Sequence, residues 1–151
     1  MDAERRPIGT RTIVPTRRSV LSAALLLLGP RAAVPAGAPF SPERRWFEAA
    51  ASMKQLAESW GDQPYGAVLV ANGAVVGNGP SRVVARGDPS AHAEREAIRD
   101  AQLRLGRSSL AGTVLYSTSR PCRHCESAAA EAHVARMIYG RDLIDAGQPK
   151  P

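Results

Sequence analysis

Thr113-Val114-Leu115-Tyr116-Ser117 leads within four residues into Pro121-Cys122-Arg123-His124-Cys125. The first run is apolar and partly β-branched, which reads as a buried strand. The proline suits the first turn of a helix, where its missing N–H has no partner to lose. That helix is predicted to continue through Ala128, Ala129 and Ala130. Val134-Ala135-Arg136-Met137-Ile138-Tyr139 is then a fourth strand. A strand running directly into a helix and then a further strand is the unit of a layered α/β domain.

Working back toward the N-terminus, Gly66-Ala67-Val68-Leu69-Val70 is a short apolar run, predicted as a strand buried on both faces. Asn72-Gly73 is a strong hairpin signal, because both residues tolerate positive φ. Ala74-Val75-Val76-Gly77 is the returning strand, and Gly77, Gly79 and Pro80 are predicted to end it and open a loop through Asp88-Pro89. Ser90 is the expected cap of the next helix, with Glu94 near its start and Ala93, Ala97, Ile98, Ala101 and Leu103 on its apolar side, to about Leu105. Ahead of all this, Ser41-Pro42-Glu43 reads as a helix start, and Trp46, Phe47, Ala50, Met53, Leu56 and Ala57 recur at helical spacing to about Trp60. After Gly140 no convincing core pattern remains.

The chain has 151 residues, of which 44% are hydrophobic, enough for a real core. Its net charge of +6 is unevenly placed. Residues 1–36 hold six arginines against two acids, whereas residues 37–151 hold fourteen basic and twelve acidic residues. The body is therefore near neutral, which argues against a broad nucleic-acid footprint. Residues 1–36 have a charged start, an apolar run from Val20 to Leu28 too short to span a bilayer, and small residues after it. Thr16-Arg17-Arg18-Ser19-Val20-Leu21 resembles a twin-arginine export signal, with Val34-Pro35-Ala36 as a cleavage candidate. The expected organisation is a signal over 1–36, a linker over 37–41 and a domain over 42–151, exported to the periplasm. A cytoplasmic chain with an uncleaved or disordered tail is the alternative. Export of a folded protein would allow a thiolate metal site to fill in a reducing compartment first.

The only two cysteines, Cys122 and Cys125, sit in one short stretch, and His92-Ala93-Glu94 lies thirty residues earlier. The second and third helices are predicted to start at the same sheet edge, where ligands collect in such folds. Two thiolates and a neutral imidazole balance a divalent cation and leave a fourth position open, the catalytic pattern for zinc. The helix starts are expected to favour thiolate. Two residues of helix turn by about 200°, so His92 must sit in a distorted first turn if it and Glu94 are to face one ion. Glu94 could then move protons beside an acidified water.

His-x-Glu followed by Pro-Cys-x-x-Cys resembles the zinc deaminase signature. Over roughly residues 42–140 the chain is similar to the cytidine deaminase-like superfamily, and most to its nucleobase and nucleoside branch, which includes guanine, cytosine and tRNA adenosine deaminases. Pro64-Tyr65-Gly66-Ala67-Val68-Leu69-Val70 and Asp88-Pro89-Ser90-Ala91-His92-Ala93-Glu94-Arg95-Glu96-Ala97-Ile98-Arg99 carry that resemblance. It implies a three-layer α-β-α fold with a mixed sheet, a Zn²⁺ cofactor held by His92, Cys122 and Cys125, and Glu94 as proton shuttle. It implies hydrolytic deamination of a purine or pyrimidine base or nucleoside, and a homodimer. Tyr65, Ala67, Ser81 and Ala93 are the candidate substrate contacts. Ser81 stands where the family often has asparagine, and Arg120 where many members have glutamate. Family members also continue through a fifth strand and one or two helices, so the fold is expected to be shortened, with the fourth strand as an edge or covered by another subunit.

The rival readings are a non-catalytic zinc scaffold and a Cys-x-x-Cys redox protein. His124 is expected to point away from the metal toward the surface or pocket rim, and His133 to be structural. Arg120 and Arg123 could attract an anionic substrate, although solvated surface arginine is the commoner case.

Overall fold

The computed structural model describes residues 42–151, all within one compact unit. The leader, the linker and Ser41 lie outside the described residues. The elements are α1 (Arg44–Ser59), β1 (Gly66–Ala71), β2 (Ala74–Pro80), α2 (Val83–Arg86), α3 (Ala93–Leu105), β3 (Val114–Ser117), α4 (Arg123–Glu131), β4 (Arg136–Tyr139) and β5 (Ile144–Gly147). The sheet order is β2-β1-β3-β4-β5. β1 pairs antiparallel with both β2 and β3, β3 pairs parallel with β4 across the α4 crossover, and β4 pairs antiparallel with β5. The sheet is therefore mixed, as expected.

Side-chain alternation divides the core into two layers. Val68, Val70, Tyr116 and Ile138 face α1 through Ala50, Trp46 and Met53. Leu69, Leu115 and Met137 face the other way, onto Ile98 and Ala101 of α3 and Ala129 of α4. These clusters place helices on both faces of the sheet, which is the three-layer arrangement. β1 is buried along its first five residues because both faces are covered.

Asn72 and Gly73 have φ of 50° and 73°, the turn the hairpin signal called for. The reading of Gly77, Gly79 and Pro80 as a strand end is corrected: β2 runs through to Pro80. These glycines are where α3 lies against the strand. A Cβ at Gly79 would sit 2.0 Å from the Ala93 carbonyl oxygen, and one at Gly77 2.3 Å from that of Ala97. Close approach of two backbones, not strand termination, is what requires them.

Four boundaries also differ from expectation. α1 begins after Glu43, whose side chain makes no cap bond, so Pro42 lies outside it. α3 begins after His92 rather than after Ser90, whose N–H instead closes a turn onto Asp88 Oδ1 at 2.8 Å. Pro121 precedes α4 by one residue beyond its N-cap, Cys122. A short α2 interrupts the predicted loop. Leu103 is 76% exposed and does not join the apolar side of α3.

The stretch after Gly140 indeed has no core pattern, but the expectation of β4 as a sheet edge is corrected. β5 covers β4, and the Arg136–Asp145 ion pair crosses between them. The residues of β5 are largely exposed, so hydrophobic periodicity carries no signal of it. No helix among the described residues is long and apolar enough to cross a membrane.

Candidate metal centre

Two helix starts build the site. His92 is the N-cap of α3, with φ −65° and ψ 153°, and Cys122 is the N-cap of α4, with φ −75° and ψ 166°. The two ends are constructed alike. The Glu96 N–H bonds the His92 carbonyl and the Glu126 N–H bonds the Cys122 carbonyl, each at 2.9 Å. Neither N-cap side chain caps its own helix. Histidine and cysteine are poor caps, and here they face each other across the gap between the two helices.

This placement corrects the expectation of a distorted first turn. His92 has extended backbone just outside the helix, so the angular separation of residues within a helix does not apply to it. Its imidazole and the Glu94 carboxylate both approach Cys125 Sγ, at 3.5 and 3.4 Å.

The donor atoms form a tight triangle. His92 Nδ1 lies 3.7 Å from Cys122 Sγ and 3.5 Å from Cys125 Sγ, and the two sulfurs are 3.5 Å apart. A tetrahedral ion with bonds of about 2.3 Å to sulfur and 2.0 Å to nitrogen requires edges of about 3.8 Å between sulfurs and 3.5 Å between sulfur and nitrogen. The observed edges agree to within a few tenths of an ångström, so these three residues could hold such an ion. Three protein donors leave a fourth position for water or substrate. His124 is not part of the group; it is exposed and lines a second hollow with Pro89, Ser90, Arg95 and His92. His133 sits in the exposed turn after α4 with φ of 59°.

Burial, and after it the Glu94 carboxylate, push the Cys125 thiol well above the usual range. Burial and the Glu94 charge thus work against the thiolate that the helix start favours, and a cation among the three donors would offset both. Both cysteines are free.

Glu94 is in the first turn of α3 and is 4% exposed. Its Oε1 accepts a hydrogen bond from the Ser117 hydroxyl at 2.8 Å, and its Oε2 accepts one from the Cys125 thiol at 3.4 Å. Ser117 ends β3, so the sheet edge itself orients the carboxylate. Sequence reasoning did not single out Ser117; the available signal was a polar residue closing an apolar strand four residues ahead of the Pro-Cys motif.

A cavity of about 500 Å³ opens on this group, lined by His92, Ala93, Glu94 and Cys122 and by Gln63, Tyr65, Ser119 and Arg120. Tyr65 and Ala93 thus reach it. Ala67 and Ser81 are not among its lining residues. Ala67 is fully buried against Ala93 and Ala97. Ser81 is fully buried, and its hydroxyl donates to Asp62 Oδ1 at 2.8 Å. Gln63 and Ser119 carried no sequence signal, since each is an isolated polar residue in a loop.

An α/β domain with an open three-donor centre at two helix starts, a buried carboxylate beside it and a cavity in front has the architecture of a metal-binding domain. The zinc-binding region of cytidine and deoxycytidylate deaminases matches residues 41–141, and the chain belongs to that family. Zinc is the metal that this region and this donor set specify. The chain is similar to a tRNA-specific adenosine deaminase of Buchnera aphidicola, with 33% identity over 66% of this chain and 66% of that protein. It is similar to a guanine deaminase of Bacillus subtilis, with 38% identity over 56% of this chain and 54% of that protein. The solved structure of a guanine deaminase from Bacillus subtilis superposes with a TM-score of 0.63 at 32% identity, covering 66% of this chain and 64% of that one. The matches to the two relatives thus span less than two thirds of their own lengths.

Proposed function

We propose that the chain is a zinc-dependent aminohydrolase that converts the exocyclic amine of a purine or pyrimidine base or nucleoside into a carbonyl, releasing ammonia. The observation that carries this reading is the buried Glu94 carboxylate, whose Oε2 stands 3.4 Å from a donor sulfur at the wall of the cavity. His92, Cys122 and Cys125 hold the zinc ion, which when bound acidifies water and so supplies a nucleophile at neutral pH. Ser117 holds Oε1 in place, and Oε2, which faces the Cys125 sulfur at 3.4 Å, would take the proton from water. Glu94 passes that proton to a ring nitrogen and then carries the proton of the hydroxyl newly added to the ring carbon to the amine, so that ammonia leaves and the carbonyl forms. Tyr65 and Ala93 shape the wall, and Gln63 and Arg120 offer polar groups for the substrate's edge.

The names of the relatives divide between a free base and a tRNA adenosine. The near-neutral body, with fourteen basic against twelve acidic residues over 37–151, favours the small molecule. The deciding experiment combines metal analysis with an ammonia assay on guanine, cytosine, adenine and their nucleosides. Stoichiometric zinc with ammonia from one of them is the expected result. Stoichiometric zinc with no ammonia from any would overturn the reading in favour of a non-catalytic scaffold.

We further propose that residues 42–151 are the deaminase domain, that residues 1–36 direct export, and that the domain works as a homodimer. Intact mass of the protein recovered from a periplasmic fraction tests the leader, and sedimentation of the purified domain tests the assembly.

A further inference from the structure

We propose that Asp62 is a positioning residue for this reaction, holding the Gln63–Tyr65 wall of the cavity against the segment that leads into the metal centre. The proposal rests on the deaminase reading above. Asp62 is 8% exposed and does not line the cavity. Its two carboxylate oxygens are held from its own loop, from the residue after β2 and from α2. Oδ1 accepts from the Gln63 N–H at 2.7 Å and from the Ser81 hydroxyl at 2.8 Å. Oδ2 accepts from the Ala85 N–H at 2.8 Å, in the first turn of α2. That helix has no side-chain cap of its own, and Asp62 supplies the acceptor from outside.

The buckle has further ties. The Ser81 N–H donates to the Tyr65 carbonyl at 3.1 Å, so Ser81 bonds both sides of Gln63. The Arg82 guanidinium stacks over the Trp60 ring at 4.7 Å. The Arg82 N–H then donates to the carbonyl of Ala91, next to His92, at 3.0 Å. Two loops that carry no regular ladder are thus joined at their centre by one carboxylate. Gln63 and Tyr65 face the substrate space on one side of it, and His92 lies at the end of the other. None of the hydrogen bonds of Asp62 involves the Glu94–Ser117 pair or the donor triangle, so its loss is expected to free the wall and spare both. The effect therefore belongs to substrate binding rather than to the proton transfer.

The test is steady-state kinetics of Asp62→Ala and Ser81→Ala with the substrate found in the ammonia assay, together with zinc content. The expected result is a KM raised about tenfold in Asp62→Ala and less in Ser81→Ala, with kcat within about twofold and zinc stoichiometric. A lowered melting temperature with unchanged KM would show a merely structural role and overturn the proposal, as would a fall in kcat at unchanged KM. If Asp62→Ala does not fold, Ser81→Ala decides alone by the same criterion. A wild-type protein that releases no ammonia refutes the deaminase reading itself, which separates that failure from this one.

Discussion

Gly79→Ala tests how strictly the sheet positions the catalytic helix. Gly79 has no positive φ, so alanine is compatible with its backbone conformation. The new Cβ would nevertheless lie 2.0 Å from the Ala93 oxygen, 2.5 Å from the Ala97 nitrogen and 2.8 Å from the Ala97 Cβ. The two shortest contacts are to backbone, which no rotamer change can relieve. Ordinary contact begins at 3.4 Å, so α3 must retreat by more than an ångström at its first turn. That turn carries Glu94 and follows His92 directly. Overpacking of this kind costs about 1–3 kcal/mol, or roughly 4–12 °C of melting temperature for a domain of this size. The same retreat pulls His92 Nδ1 away from sulfurs it now approaches to 3.5 and 3.7 Å, and zinc affinity is expected to fall by about 10–100-fold. Chemical denaturation of the zinc-free protein and competition with a chelator measure the two effects separately. Gly73→Ala is the control: its φ is 73° but nothing lies within 4 Å of a Cβ there, so it should cost about 1–2 kcal/mol and leave zinc affinity unchanged. A Gly79→Ala protein as stable and as zinc-avid as the wild type would refute the account of why β2 carries glycines.

Further outcomes follow from the same geometry. Glu94→Gln should lower kcat by about 10²–10⁴-fold while zinc content stays stoichiometric; a rate near wild type would remove Glu94 from the proton path. Glu96 is 5% exposed and receives Arg86 at 2.8 Å, Arg99 at 3.1 Å and Arg82 at 3.7 Å. Glu96→Gln should therefore destabilise the domain by about 1–3 kcal/mol, read from denaturant midpoints, with a shift under about 0.5 kcal/mol counting against the network. Burial works to raise the Asp62 carboxyl, but hydrogen bonds from Ala85, Ser81 and Gln63 hold it below the usual carboxylate range. Its stabilising effect is present above the unfolded pKa of about 3.9 and is lost as pH falls through the lower folded value. The stability gap between wild type and Asp62→Asn should accordingly be full at pH 6 and close below about pH 4; a gap independent of pH would contradict that.

The chemistry was legible because it is written in residue types at short range. Two cysteines three apart, a proline before them and a His-x-Glu need no fold to suggest a metal and a proton carrier. The apolar runs at 66–70 and 113–117 were equally legible, since burial on both faces leaves an uninterrupted hydrophobic signal. β5 was not, because an exposed edge strand has no hydrophobic period and exists through its pairing with β4. Gly77 and Gly79 were misread for a related reason. Glycine signals an end of a strand and a close approach in the same letter, and only the path of α3 tells them apart.

Local sequence determined which groups are present: the three donors and Glu94. Tertiary structure decided where they point. It placed His92 and Cys122 at N-caps so that their side chains are free to converge, and it brought Ser117 to Glu94 across 23 residues of sequence. It also turned Ser81 away from the cavity onto Asp62, a choice made by which buried oxygen stands within 2.8 Å of its hydroxyl. The physical reason is that covalent spacing governs neighbours along a chain, whereas the direction of a side chain is set by the packing and hydrogen bonds of groups that meet only after folding.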